Sequence, residues 1–316
     1  MKRTLVAFAA ALALAPLAAS AAYPERPIKL IVPWAAGGDT DVIYRTFAPI
    51  MQKHLGGDAT IVIANVGGAS GTRGAKEAMS SPKDGYTIFA IHDSIHSTYY
   101  TGVADVNYDD FEPICLVTST PSIITASPKT PWKDMKSLLA DAKKRPGEIT
   151  VGATLGSTSH FFPALVEQAA GVKFKYVSYE GTAPRMNALL GGHIDLAESN
   201  LTQKSKADAG QLKFLAIATD KRLPEVPNVP TLKELGIDVE YAVNRGLVAP
   251  KGTNREALAK LRSACAAAAK EPAFAAAMKK QGTLVHFLDA KAYTNFFKQN
   301  DKVNHDLAKE LGMLKR

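Results

Sequence analysis

Cysteine is nearly absent from this chain: 316 residues hold two, Cys115 and Cys265. They lie far apart with no metal-ligand spacing around either, which excludes a zinc module and a small disulfide-stapled scaffold. Cys115 falls in an apolar, strand-like stretch and Cys265 in an alanine-rich helical one. The expectation is two unpaired, buried side chains behaving as small hydrophobes; one disulfide is permitted but not required. After residue 22 no apolar run approaches the roughly 20 residues of a bilayer-spanning helix. Repeats, low-complexity linkers and blocks of one charge are missing too. The net charge of +8 includes Lys2 and Arg3, and the other cations are scattered, with Lys143-Lys144-Arg145 and Lys279-Lys280 among the short groups. A nucleic-acid partner would want a concentrated stripe, so none is expected. No Gly-x-Ser-x-Gly elbow occurs. His92, Asp93, Ser94 and His96 crowd together, but neither a full metal-ligand set nor a positioned third catalytic group accompanies them. No cofactor, metal site or catalytic residue is expected. His92 and Ser94 are candidates for lining a pocket, beside the plainer reading of ordinary loop residues.

What is present begins with Met1-Lys2-Arg3, an apolar stretch from Leu5 to Ala18, and Ala19-Ser20-Ala21. That charged, apolar, small-residue order is a secretory signal, predicted over residues 1–22 and not lipid-anchored because no cysteine stands near the cleavage point. Strand-length apolar runs then alternate with helical periods: Ile28 to Val32, Thr60 to Ala64, Thr87 to Ile91, Thr150 to Ala153, Phe174 to Val177 and Leu212 to Thr219. Such alternation predicts α/β architecture with parallel sheets and crossover helices. A helix from Val42 to Leu55 should kink or break at Pro49. Thr130 and Thr182 are read as N-caps ahead of Pro131 and Pro184, and Thr253 with Glu256 as a capping box. Cys115 to Ala126 and Val239 to Ala249 are extended and bracket a self-contained α/β block. They are read as hinge strands, giving one discontinuous domain of residues 23–120 plus 245–316 and a second of residues 121–244.

Three glycine-rich loops each follow a strand and precede a helix, where free backbone N–H groups hold anions. The first, Pro33 to Asp41, offers Trp34, Ala36, Gly37, Gly38 and Thr40. The second, Asn65 to Gly71, offers Ser70, with Thr72 next to it. The third, Gly152 to His160, offers Gly156, Ser157, Thr158, Ser159 and His160. Glycine lets the main chain approach a ligand and the hydroxyls add donors. Asp41 is included, although a first-turn acid is more simply a cap favoured by the helix dipole.

On these loops, and on Tyr23-Pro24-Glu25-Arg26-Pro27-Ile28, Asp84-Gly85-Tyr86-Thr87, Phe111-Glu112-Pro113-Ile114, Tyr179-Glu180-Gly181 with Pro184, Leu189-Leu190-Gly191-Gly192 to Asp195, Val229-Pro230-Thr231 and Ala249-Pro250-Lys251-Gly252-Thr253, the chain resembles the Bug-type extracytoplasmic solute receptors of tripartite tricarboxylate transport systems. The resemblance implies a type II periplasmic-binding-protein fold: two α/β domains joined by two hinge strands, closing on a carboxylate held by backbone amides, hydroxyls and water. It implies a periplasmic, monomeric binding protein delivering a di- or tricarboxylate or an aromatic acid to an integral-membrane permease. A sensory protein of the same fold is the alternative, with a secreted α/β hydrolase behind it. Five departures stand out from the family pattern: Ala36 in place of a proline, the bulky Trp34, Arg73 beside Thr72, His92-Asp93-Ser94 with His96 in place of small residues, and Asn244-Arg245 in the second hinge strand. Arg245, and less so Arg73, could pair a ligand carboxylate in bidentate fashion. An acidic amino acid is the least expected ligand, because its ammonium would want an acceptor where the loops offer mostly donors.

Overall fold

The computed structural model describes residues 23–316 except Gly57; the signal-peptide reading of residues 1–22 lies outside them. The first half opens with β1 (Ile28–Val32), α1 (Asp39–Leu55), β2 (Ile61–Asn65), α2 (Thr72–Met79), β3 (Thr87–His92), α3 (Ser94–Tyr100) and β4 (Phe111–Pro121). The chain then builds β5 (Ile123–Ala126), α4 (Met135–Lys144), β6 (Thr150–Ala153), α5 (Thr158–Ala170), β7 (Lys175–Ser178), α6 (Thr182–Gly191), β8 (Leu196–Ser199), α7 (Lys204–Asp208) and β9 (Lys213–Ile217). It returns through β10 (Ala242–Pro250), α8 (Arg255–Ala269), α9 (Pro272–Lys280), β11 (Leu284–Leu288) and α10 (Ala290–Glu310).

Two sheets result, one of six strands in the order β2-β1-β3-β10-β4-β11 and one of five in the order β7-β6-β8-β5-β9. The alternating βα pattern gives parallel pairing where it was expected: β1 lies parallel to β2 and β3, and β6 parallel to β7 and β8. The rest of each sheet is antiparallel. β10 runs against β3 and β4, β11 against β4, and β5 against β8 and β9. The reason is connectivity: strands that carry the chain out of one sheet and back into it must oppose each other. The crossing points are adjacent, with Ser122 N donating to Tyr241 O at 3.0 Å, and β10 pairs with β4 from Ala242 opposite Pro121 to Pro250 opposite Phe111.

Each sheet has its own core. Ile28, Leu30 and Val32 of β1 meet Ile43, Tyr44, Phe47 and Met51 of α1 and Leu258 and Leu261 of α8. In the other half Trp132, Leu138, Phe162, Val166, Leu196 and Leu215 pack together. Apolar burial on this scale, at about 25 cal/mol per Å², is the main driving force for both halves.

Several local expectations need correction. Cys115 and Cys265 are not free but form a disulfide with Cα atoms 6.6 Å apart, because the buried face of α8 packs directly on β4. Helix α1 continues through Pro49; Pro49 and Arg45 are both exposed, so the hydrogen bond that proline cannot make is lost on the solvent side. Thr130-Pro131 does not open a helix: α4 begins at Met135 behind Asp134, which forms a capping box with Ser137. The cap of α6 is Gly181, with Thr182 already inside the helix. Asn254, not Thr253, caps α8, accepting from the N–H groups of Glu256 and Ala257. Asp134 and Asn254 take these positions because their side-chain oxygens accept from free N–H groups of the first turn, whereas Gly181 enters α6 at a φ of 95° that favours glycine.

Candidate functional site

The two halves meet along the loops that follow β1, β2 and β6. Asp39, the first residue of α1, reaches across: its carboxylate accepts from Asn200 Nδ2 at 2.7 Å, Thr202 Oγ1 at 2.8 Å and Thr182 Oγ1 at 3.3 Å. In the second loop Ala69 and Ser70 adopt left-handed φ values of 50° and 55°, a strained conformation for non-glycine residues. It lets Ser70 bridge the halves twice, N donating to Glu180 and Oγ to the Leu155 carbonyl, both at 3.0 Å.

Beneath these contacts lies a cavity of about 30 Å³, room for roughly two waters at the ~10–15 Å³ each requires. Of the candidates, Trp34, Gly38, Thr40, His92, Ser157, Thr158, Ser159 and Arg245 line it. Ser70, Thr72 and Ser94 instead line a second cavity of about 20 Å³, which shares Trp34 and His92 with the first. These two rings stack, centroids 5.0 Å apart, and divide the cavities like a plate.

Arg245 is 4% exposed. Its Nε donates to Thr40 Oγ1 at 3.1 Å, and Nη1 donates to Thr120 Oγ1 at 2.9 Å and the Val243 carbonyl at 3.3 Å. Among the described residues its Nη2 has only Asp39, 3.9 Å away. Opposite it Arg185 and Glu198 form a buried ion pair at 2.7 Å. Burial pushes the Glu198 carboxyl pKa up, while Arg185 pulls it back. Arg185 Nε and Trp34 Nε1 are buried donors without a partner among the described residues. His92 is held neutral: burial first, and then Arg245 and Arg185, push its pKa well down. Its Nδ1 accepts from Ser94 N at 3.1 Å.

The remaining candidates lie off this wall. Ala36 and Gly37 are exposed, because the loop turns outward before Gly38 brings it back. Asp41 accepts from Gly37 N, Arg45 Nε and Asn65 Nδ2 at 2.8–2.9 Å; burial would raise its pKa, but these donors hold it below the ordinary value. It ties the loop together, the simpler of its two readings. Gly156 N donates to His160 Nδ1 at 3.2 Å, so both serve the loop. Arg73 is exposed. Asp93 turns away from His92 and Ser94 to accept from Asn244 N and Asn300 Nδ2, each at 2.7 Å, which leaves no triad. Among the described residues no group of His, Cys, Asp and Glu could hold a metal.

Sequence reasoning missed Asp39, Thr154, Thr182, Arg185 and Glu198, all on the cavity wall. Two of them, Asp39 and Glu198, are carboxylates that face the space beside the donors expected of the loops. One signal was available: Glu198 is a lone acid in the buried strand Leu-Ala-Glu-Ser, a place where a charge persists only when paired.

His160 allows a test of the third loop. Burial lowers its pKa to about 4, and its Nδ1 accepts from Gly156 N, which a protonated ring cannot do. The unfolded state, with an ordinary histidine pKa near 6.5, therefore binds the extra proton between pH ~6.5 and ~4. Stability present above pH ~6.5 is lost as pH falls through that window, with a slope approaching about one proton. Urea unfolding from pH 7 to 4 should show this slope in the wild type and a shallower one in His160→Gln; equal slopes would mean that His160 does not titrate this way.

Comparison with known proteins agrees with this architecture. A family profile described as "Tripartite tricarboxylate transporter family receptor" matches residues 43–313. A Cupriavidus necator relative, named "UPF0065 protein in gbd 5'region", is 30% identical over 98% of this chain and 96% of its own. Protein BugT of Bordetella pertussis is 31% identical over 82% of this chain and 81% of its own. The solved periplasmic binding protein BugD superposes with a TM-score of 0.88 at 34% identity, covering 93% of this chain and 100% of the other. MatC of Rhodopseudomonas palustris, solved with malate, gives 0.83 at 27% identity over 90% and 99%. A further R. palustris protein, solved with adipate, gives 0.86 at 29% over 92% and 98%.

Proposed function

The chain belongs to the tripartite tricarboxylate transporter receptor family, in its Bug-type branch, and on that premise we propose that it closes two α/β halves on a small carboxylate and hands it to a membrane permease of that transport class. Family and fold are those of periplasmic solute-binding receptors rather than enzymes. The observation that carries the carboxylate reading is Arg245: buried in the cleft, fixed by Thr40, Thr120 and the Val243 carbonyl, with Nη2 left over. A guanidinium so held is a preorganised anion donor, and the unpaired Nε groups of Arg185 and Trp34 add to it. Malate and adipate in two related structures support the same chemistry. Domains of residues 23–120 with 245–316 and of residues 121–244, residues 1–22 acting as an export signal, complete the reading. It is supported by the two adjacent crossings between the sheets.

The test is thermal unfolding of the ligand-stripped protein against a panel of carboxylates. A true ligand at 100 times its dissociation constant adds about 2.7 kcal/mol and shifts the transition saturably. A folded protein that no carboxylate stabilises would remove the proposal. Uptake of the identified ligand in a strain lacking the receptor, with permease expression fixed, then tests delivery: unchanged initial uptake would argue for sensing instead.

A further inference from the structure

The wall of the cleft is amphoteric. Arg185 and Arg245 bring two formal positive charges, Asp39 and Glu198 two negative ones, all four side chains being buried. His92, held neutral by burial and by the two arginines, adds nothing to the sum. A dicarboxylate entering this space would bring two negative charges into a water-poor cavity whose own charges already cancel. Like charges so placed are strongly disfavoured. The acceptors are also underused. Asp39 is held by the neutral donors Asn200, Thr202 and Thr182, and its nearest cation, Arg245 Nη2, stands 3.9 Å away, beyond a hydrogen bond. Glu198 spends one oxygen on Arg185 and the other on Ser122 Oγ at 3.2 Å, leaving lone pairs free on a group able to accept about four bonds. Buried donors without partners, Arg185 Nε and Trp34 Nε1, occupy the same wall.

We infer that the ligand is zwitterionic, a small carboxylate that also carries a cationic nitrogen, with its carboxylate toward Arg245 and Arg185 and its nitrogen toward Asp39 and Glu198. The inference rests on the carboxylate-receptor reading and narrows it. A zwitterion leaves the cleft neutral, gives the spare arginine donors their acceptor and brings a cation to the acceptor capacity left on the two carboxylates. It also reverses the expectation that an ammonium would find no acceptor here.

The experiment is calorimetric titration of the protein with matched pairs that differ in a nitrogen: propionate and β-alanine, butyrate and 4-aminobutyrate, succinate and aspartate. In at least one pair the nitrogen-bearing acid is expected to bind at least about tenfold more tightly, and in Asp39→Asn that ratio is expected to fall toward one. The ratio is taken within each variant, so a general loss of closure cancels; Glu198→Gln serves if Asp39→Asn does not fold. Tighter binding of the nitrogen-free acid wherever a pair binds would overturn the zwitterion and leave the carboxylate receptor standing. Binding by no member of any pair, from folded protein, would overturn both. A preference for nitrogen that survives in both Asp39→Asn and Glu198→Gln would overturn the assignment to these two carboxylates.

Discussion

Arg245→Ala is expected to weaken ligand binding by about 30- to 900-fold, the 2–4 kcal/mol typical of truncating one partner of a buried, charged hydrogen-bonded pair. Three hydrogen bonds, to Thr40, Thr120 and the Val243 carbonyl, already hold the guanidinium in place, so the unbound protein has paid most of the ordering entropy that a flexible surface arginine would lose. Arg245→Lys should not rescue binding: a point charge cannot serve Thr40 and Thr120 together and still present a second face. Arg73→Ala, at an exposed position, is the control and should stay within about threefold of wild type. Titration calorimetry decides the matter once unfolding has shown the variants to be folded. Wild-type affinity in Arg245→Ala would put the ligand elsewhere.

Removing the disulfide is the second large effect. Cys115 and Cys265 are 150 residues apart, and both ends of the closed loop, β4 and α8, lie in the six-stranded half, so the loop encloses the entire five-stranded half. Cross-linking so long a stretch restricts the unfolded chain strongly; loss of such a bond costs about 2–5 kcal/mol, each kcal/mol moving the melting temperature by roughly 2–4 °C in a protein of this order of size. The Cys115→Ala/Cys265→Ala double variant should therefore melt well below wild type while keeping its ligand affinity within about threefold, because neither cysteine lines the cleft. Both residues are fully buried, so chemical reduction must be done on unfolded protein before refolding. An unchanged melting temperature in the double variant would show that the bond does not stabilise the fold.

Elements whose signal is local were readable in the sequence. β1 and β6 fall on their expected residues because continuous apolar runs between turns permit little else. The three glycine loops were readable for the same reason, and each contributes to a cleft wall. Helix starts were not: Asp134 displaced Thr130 by four residues, and Gly181 and Asn254 displaced Thr182 and Thr253 by one, choices that depend on local backbone geometry. Nor were partners distant in sequence. Asp39 meets Thr182, Asn200 and Thr202 from 143 to 163 positions away, and Cys115 meets Cys265 across 150; no window of local pattern contains both members. Arg185 and Glu198, 13 positions apart, meet only because α6 and β8 pack side by side.

The hydrogen bond from Ser122 to Tyr241 has a meaning for inheritance. A segment that leaves and rejoins its host at two bonded neighbours behaves as a single long insertion, and evolution can exchange such a segment whole without redirecting the strands that receive it. Here the host carries Asp39 and Arg245, and the insertion carries Arg185 and Glu198: one acid and one base on each side of the graft. A recombinant that drew its insertion from a relative with the same pairing would inherit all four charges in one step, whereas a relative without it would leave the chimera with Asp39 and Arg245 alone, still neutral but with one acid and one base fewer to meet a ligand.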